Sequence, residues 1–214
     1  MGKSEFINRI INEKGNEAIP ILISLIYEND DGELIKLVLE ALDSLGEKGK
    51  EEIYKIFLKL FDDEEEINNT KIYFLIDFLA DNGDIRIIKK LFSMLNKSEN
   101  DEINLLIYDA LAILGEGEKV IDVLLVMTEE KLDSDSWEVL IMALSHTKSV
   151  KALLRLKKMY FEEKDENLKA MILQGIINIL NEREELITQF SNDESGRDIL
   201  KKIAIWLNNN EKNI

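Results

Sequence analysis

The stretch Leu39-Glu40-Ala41-Leu42-Asp43-Ser44-Leu45-Gly46 decides the fold, because a small residue inside an apolar helical pattern is followed by a glycine that can end the helix. Similar triplets occur at Asp109-Ala110-Leu111 and Met142-Ala143-Leu144, and weaker copies surround residues 78, 176 and 206. The six centres are 30 to 37 residues apart. Two short helices and two turns occupy this length, so the sequence predicts repeated helix pairs.

The apolar residues within each repeat recur with a helical period and not with a strand-like alternation. Relative to the central small residue, they stand at −4, −3, 0, +1 and +4, which is the buried stripe of a second helix. A further amphipathic run precedes each second helix. These first helices are expected near residues 17–28, 50–61, 84–95, 118–128 and 149–161.

Turn residues mark the ends of the predicted helices. The clusters 29–32 and 133–136 carry Asp and Asn side chains that can cap the second helices. Gly46, Gly83 and Gly115 each follow a second helix, where a left-handed cap favours glycine. The sequence therefore predicts both ends of several second helices.

The composition excludes several classes of fold and site. The chain has 214 residues with one proline, no cysteine and one histidine, His146. So little proline argues against a β-sandwich or barrel, which needs a turn every 8–12 residues or so. The absence of cysteine excludes disulfides, thiolate metal sites and cysteine nucleophiles, and one histidine argues against a Ser-His-Asp triad. We expect no catalytic residues, no cofactor and no metal.

The net charge of −16 is spread evenly along the chain. Such a field repels phosphate backbones and anionic membrane surfaces, so neither nucleic acid nor a membrane is expected as a partner. A basic partner would be attracted, at a rate that falls with salt. The alternative is that the acidity only keeps the protein soluble. The sequence contains no apolar leader pattern and no run of 18 apolar residues, so a cytoplasmic location is expected.

The first repeat resembles a HEAT repeat. The run 17–22 contains Pro20, Asp30-Asp31 forms an acidic turn, and 39–46 ends in an Ala-Leu…Gly pattern. The style is closest to bacterial and archaeal HEAT-like repeats of the type found in phycobilisome lyases. The resemblance implies an all-α fold, a right-handed α-solenoid of about five to six helix pairs.

The resemblance also implies an organisation for the whole chain. We expect a single domain over 1–214, with an N-terminal capping helix at 4–14 and repeats over 17–183. A degenerate terminal pair follows at 184–208, and a frayed tail at 209–214. In such solenoids the second helices line the concave side, so their outward residues are the candidates for partner binding.

The outward positions at −5, −1 and +2 form an acidic line in the first half and an apolar, methionine-containing line in the second. The candidate partner-binding residues are Glu40, Asp43, Tyr73, Asp77, Leu105, Asp109, Glu138, Met142 and Met171. Methionine offers an adaptable apolar lining, and carboxylates would pair with Lys or Arg of a basic amphipathic segment. The alternative is that these residues pack neighbouring second helices together.

The sequence favours a non-catalytic scaffold or adaptor that binds a basic protein or peptide. One alternative is a bilin-lyase-like or other HEAT-like enzyme or accessory subunit. Another is a structural subunit that assembles with itself as a homo-oligomer. That subunit could use the basic stripe formed by Lys148, Lys151, Arg155 and Lys158.

Overall fold

A computed structural model of the chain describes residues 2–62, 70–96, 100–130 and 132–210, and the surroundings of side chains up to residue 205. Over these ranges the chain forms helices joined by turns and contains no strand, which confirms the all-α prediction. The α-helices in chain order are α1 (Lys3–Lys14), α2 (Ile19–Glu28), α3 (Gly32–Ser44), α4 (Glu47–Asp62), α5 (Thr70–Asp81), α6 (Ile88–Leu95), α7 (Asp101–Leu111), α8 (Gly117–Met127), α9 (Ser134–His146), α10 (Val150–Glu162), α11 (Glu166–Glu182), α12 (Leu186–Phe190) and α13 (Glu194–Asn210).

The chain divides into two compact units, Met1–Asn96 and Lys97–Ile214. The division falls inside the third predicted helix pair, so α6 belongs to the first unit and α7 to the second. In the first unit α3 packs against α1, α2, α4 and α5. In the second unit α9 packs against α7, α8, α10 and α11, and α11 also contacts α13. A second helix is therefore the hub of each unit.

The α3 helix shows how the sequence forms such a hub. Its N-terminus is capped by Asp31, whose Oδ1 accepts a hydrogen bond from the backbone N–H of Leu34 at 3.1 Å. Ile35, Leu39 and Leu42 recur at helical spacing and are fully buried. Burying side chains of this size stabilises the fold by about 1.5–3 kcal/mol each. The capping cluster and the apolar stripe are both where the sequence predicts them.

A left-handed residue ends four of the second helices. Gly46, Gly83 and Gly115 have φ values of 75°, 69° and 87°, which confirms their predicted capping role. Lys148 stands at the same place, five positions beyond the central small residue of its repeat, and has φ 52°. A side chain in this conformation costs about 1–2 kcal/mol, which the glycines avoid. Lys148 therefore occupies a position at which the three preceding repeats have glycine.

Basic side chains of one first helix lie over the preceding first helix in the first unit. The ammonium of Lys59 on α4 is 4.4 Å from the ring centroid of Tyr27 on α2. Before α6, the guanidinium of Arg86 lies 4.0 Å from the ring of Tyr54 and 2.7 Å from Glu51 on α4. Such contacts stabilise the positive charge of the side chain and at the same time cover the face of the aromatic ring.

The second unit uses ion pairs at the corresponding place. Lys151 on α10 is 2.7 Å from Asp122 on α8. Arg155, one turn later, is 2.7 Å from Glu129 and donates a hydrogen bond of 2.7 Å to the hydroxyl of Thr128. Successive first helices are thus joined by their polar side chains in both units.

Helices lie at both ends of the described chain. The α1 helix covers the predicted capping helix and buries Ile7. The α12 and α13 helices cover the predicted terminal pair, and α13 continues to Asn210. The remainder of the predicted tail, 211–214, lies outside the described residues, as do the side-chain surroundings of Trp206 at the last repeat centre.

The helices are short. Over the described ranges the longest are α11 and α13, with 17 residues each. Within these ranges, no helix combines the length and the apolar character that crossing a membrane requires.

Replacing Gly49 tests the packing of α4 on α3. A Cβ at this buried glycine would lie 1.7 Å from the backbone oxygen of Leu42, which cannot move aside. We expect Gly49→Ala to lower the free energy of unfolding by about 1–3 kcal/mol, although alanine favours a helix by about 1 kcal/mol over glycine. Urea unfolding measures the difference. Lys48→Ala, at an exposed neighbouring residue, is the control. A Gly49→Ala protein as stable as the wild type would contradict this close approach.

Candidate partner-binding surface

The second helices of the first unit carry four outward carboxylates, which we refer to as the acidic face. Glu40 and Asp43 lie on α3, and Asp77 and Asp81 lie on α5. Asp43 is half-buried and the other three are exposed. Among the described residues, none of the four accepts a hydrogen bond or forms an ion pair within 4 Å. Asp81 was not among the predicted candidates, although it follows Asp77 by one helical turn.

Aromatic side chains lie beside the acidic face. The ammonium of Lys36 on α3 is 5.6 Å from the ring centroid of Phe74 on α5. Gly32 leaves room for this ring, because a Cβ there would lie 2.4 Å from the ring carbon Cζ of Phe74. Tyr73, a predicted candidate, is half-buried on the same helix. The surface therefore combines carboxylates with aromatic groups.

Although Asp77 is exposed, desolvation of its carboxyl group by surrounding protein atoms raises its pKa, and the nearby carboxylate of Asp81 raises it further. The ammonium of Lys36 acts in the opposite direction. This arrangement disfavours the ionised form of Asp77. A cation that approached Asp77 would relieve the unfavourable interaction.

Asp43 also borders a pocket of about 220 Å³ at the end of α5. Arg86 and Asp84 also line this pocket, and the guanidinium of Arg86 donates three hydrogen bonds to the carboxylate of Asp84, at 2.6, 2.8 and 3.1 Å. These bonds hold the pKa of Asp84 below its usual value. Asp84 is therefore neutralised within the unit, in contrast to Asp43.

In the second unit the predicted candidates are divided between surface and interior. Leu105 is 2% exposed and belongs to the core, so the outward position expected for it is wrong. Its helix α7 packs against both α8 and α9, which buries more than one side of the helix. Glu138 is exposed, whereas Met142 and Met171 are half-buried. At the −1 position of α11, Gly175 packs against Ile141, as the alternative of helix packing predicts.

Asp109 interacts with the single histidine. Its Oδ1 lies 2.6 Å from Nδ1 of His146, which joins α7 to the end of α9. Both side chains are largely buried, with 19% and 28% exposed. Sequence reasoning did not connect these residues, because they are 37 positions apart. Asp109 is therefore already bound within the unit, unlike the four carboxylates of the acidic face.

The predicted basic stripe is neutralised within the second unit. Each of its four cations lies within 4 Å of a carboxylate. The pairs are Lys148–Glu182 at 3.0 Å, Lys151–Asp122 at 2.7 Å, Arg155–Glu129 at 2.7 Å and Lys158–Glu162 at 3.7 Å. The stripe thus presents little unbalanced positive charge to another molecule.

A functional site is identified neither by a cluster of metal-binding side chains in the described residues nor by similarity to known proteins. The described parts of the chain contain no group of three or more His, Asp or Glu side chains placed to hold a metal ion. The chain matches no protein-family model, and no curated protein or solved structure is significantly similar to it. The resemblance to HEAT repeats therefore remains a prediction from the sequence.

Neutralising Asp77 tests the electrostatics of the acidic face. Because its pKa in the folded state is raised above the usual value of 3.8, the folded protein binds the proton more tightly than the unfolded chain. The free energy of unfolding of the wild type should therefore fall as the pH rises from about 3.8 through the raised pKa of Asp77. At neutral pH the whole of this decrease should remain. We expect Asp77→Asn to be more stable than the wild type at pH 7 and equally stable below this window.

Urea unfolding midpoints of the wild type and of Asp77→Asn, measured at pH 7 and at a pH below this window, give the difference in stability. Glu130→Gln, an equal change in charge at an exposed residue outside the acidic face, is the control. A variant that is less stable at pH 7 would show that the Asp77 carboxylate stabilises the unit.

Proposed function

We propose that this protein is a non-catalytic binding module that holds a basic protein or peptide segment against the acidic face. In this proposal the helix pairs are HEAT-like repeats of a right-handed α-solenoid. The observation that carries the binding function is the absence of an ion-pair partner for Glu40, Asp43, Asp77 and Asp81 among the described residues.

The recurring register of the helix pairs supports the solenoid. A left-handed residue stands five positions after the centre of a repeat in both units, for example at Gly46 and Lys148. In both units a second helix packs against its own first helix and against the next second helix. Repeats that contact their neighbours in this way are the units from which solenoids are built.

The distribution of ion pairs supports the acidic face as the binding surface. The polar side chains of the first helices are extensively paired, as with Arg86 and Glu51 in the first unit. By contrast, the carboxylates of the acidic face form no ion pair within 4 Å among the described parts of the chain, whose net charge is −16. A basic partner would gain charge-assisted hydrogen bonds without breaking bonds inside the unit.

The neighbouring aromatic residues define the chemistry of the partner further. Tyr73 lies one helical turn before Asp77, and the ring of Phe74 lies 5.6 Å from the ammonium of Lys36. Lys or Arg side chains can bind carboxylates and also stack on aromatic rings. We therefore propose an amphipathic segment that presents lysine or arginine together with apolar residues.

Fluorescence anisotropy with a designed peptide tests the proposal. The probe is a fluorescein-labelled amphipathic helical peptide with lysine on one side and leucine on the other. A second probe has glutamate in place of each lysine. We expect the lysine peptide alone to bind, with an affinity that falls as salt is raised. The double variant Glu40→Gln/Asp77→Asn should bind it about tenfold more weakly, equivalent to about 1.4 kcal/mol.

A matched variant separates this surface from the effect of net charge. Glu118→Gln/Glu130→Gln removes two exposed carboxylates from the second unit and changes the charge equally. We expect it to bind the lysine peptide as the wild type does. Equal weakening in both double variants would show that the acidity acts only as an overall field, and unchanged binding in Glu40→Gln/Asp77→Asn would overturn the assignment of the surface.

A further inference from the structure

A polar pocket of about 300 Å³ lies in the second unit, where α9 and α11 end. All of the residues that line it are polar or charged. They are Ser145, His146, Lys148, Asn178, Asn181 and Glu182. A lining without apolar side chains favours a small, strongly polar ligand over an apolar one.

Hydrogen bonds hold two of the lining side chains in fixed orientations. Nδ1 of His146 lies 2.6 Å from Oδ1 of Asp109. Because a carboxylate can only accept, Nδ1 carries the proton of this bond. Gln174 donates to Oδ1 of Asn178 at 2.9 Å, so the amide nitrogen of Asn178 keeps its capacity to donate. Groups that are already oriented lose less entropy when a ligand binds.

The backbone of Lys148 gives an independent indication of function. Lys148 has φ 52° at a position where other repeats have Gly46, Gly83 and Gly115. Glycine adopts this conformation without strain, so the turn alone does not account for lysine. The turn is also held by Arg183, whose Nη1 donates to the backbone oxygen of Lys148 at 3.0 Å. Strained residues of this kind concentrate at functional sites.

Lysine at this position places a positive charge beside a negative one. Nζ of Lys148 lies 3.0 Å from Oε2 of Glu182, and the two side chains are 48% and 59% exposed. An anion bound at Lys148 would be repelled by Glu182, and a cation bound at Glu182 would be repelled by Lys148. A ligand that carries both charges close together avoids both repulsions.

We propose that this pocket binds a free α-amino acid. The ligand carboxylate binds the ammonium of Lys148, and the ligand ammonium binds the carboxylate of Glu182. One exposed ion pair within the protein is exchanged for two pairs with the ligand, and the balance of charge in the pocket is preserved. The carboxamides of Asn178 and Asn181 add hydrogen-bonding groups. This site lies in the second unit and is independent of the proposed acidic face.

NMR of the single histidine tests the proposal, because His146 lines this pocket and no other histidine of the chain adds ring signals. The full chain is titrated separately with each of the proteinogenic α-amino acids. For each amino acid that binds, the amine lacking the carboxylate and the carboxylic acid lacking the amine are titrated as well. We expect a saturable shift with at least one amino acid and a much weaker response to its two analogues.

Variants distinguish binding from folding. Lys148→Gly removes the ammonium and relieves the left-handed strain, so we expect a thermal midpoint at least as high as that of the wild type and an affinity lower by about tenfold or more. Glu182→Gln should weaken binding similarly. Lys158→Ala, at an exposed lysine outside the pocket, should retain it. If Lys148→Gly does not fold, Lys148→Asn replaces it, since asparagine tolerates this conformation.

Three results would overturn the proposal. The first is the absence of a shift with every amino acid. The second is binding of the carboxylic acid as tightly as the amino acid, which would indicate an anion site. The third is unchanged affinity in a folded Lys148→Gly or Lys148→Asn protein.

Discussion

Burial of the second helices on more than one side is the constraint on which the rest of each unit depends. The α3 helix packs against four other helices, as does α9. Ile35, Leu39 and Leu42 are consequently all removed from solvent. Five of the 13 residues are buried in each of these two helices, and the positions of the outward side chains follow from the register of this packing. The acidic face, the polar pocket where α9 and α11 end, and the ion pairs between successive first helices all depend on this packing.

Features that depend on neighbouring residues could be predicted from the sequence. Asp31 caps the helix that begins one residue later, and Gly46 adopts the left-handed conformation within its own turn. The helical spacing of apolar residues also identifies the pairs, because the period is local. These signals explain why the all-α fold follows from the residues alone.

Features that depend on contacts between repeats could not be predicted in the same way. Leu105 is buried because α7 is covered on more than one side, which a single apolar stripe does not indicate. The bond between Asp109 and His146 joins residues 37 positions apart. Lys148 is an intermediate case, since aligning the repeats places it with the glycines. The alignment shows that lysine replaces glycine at this position, but only the structure shows that Lys148 forms an ion pair with Glu182.

The packing order of the helices has a consequence for the speed of folding. Within each unit, the main contacts join helices that are adjacent or separated by one helix along the chain. Such contacts close short loops, and proteins with a low contact order fold much faster than those with distant pairings. The α3 and α9 helices can pack against their neighbours soon after they form, because these neighbours are close in the chain. We therefore expect folding to be limited by the assembly of individual helix pairs and not by a search among long-range topologies.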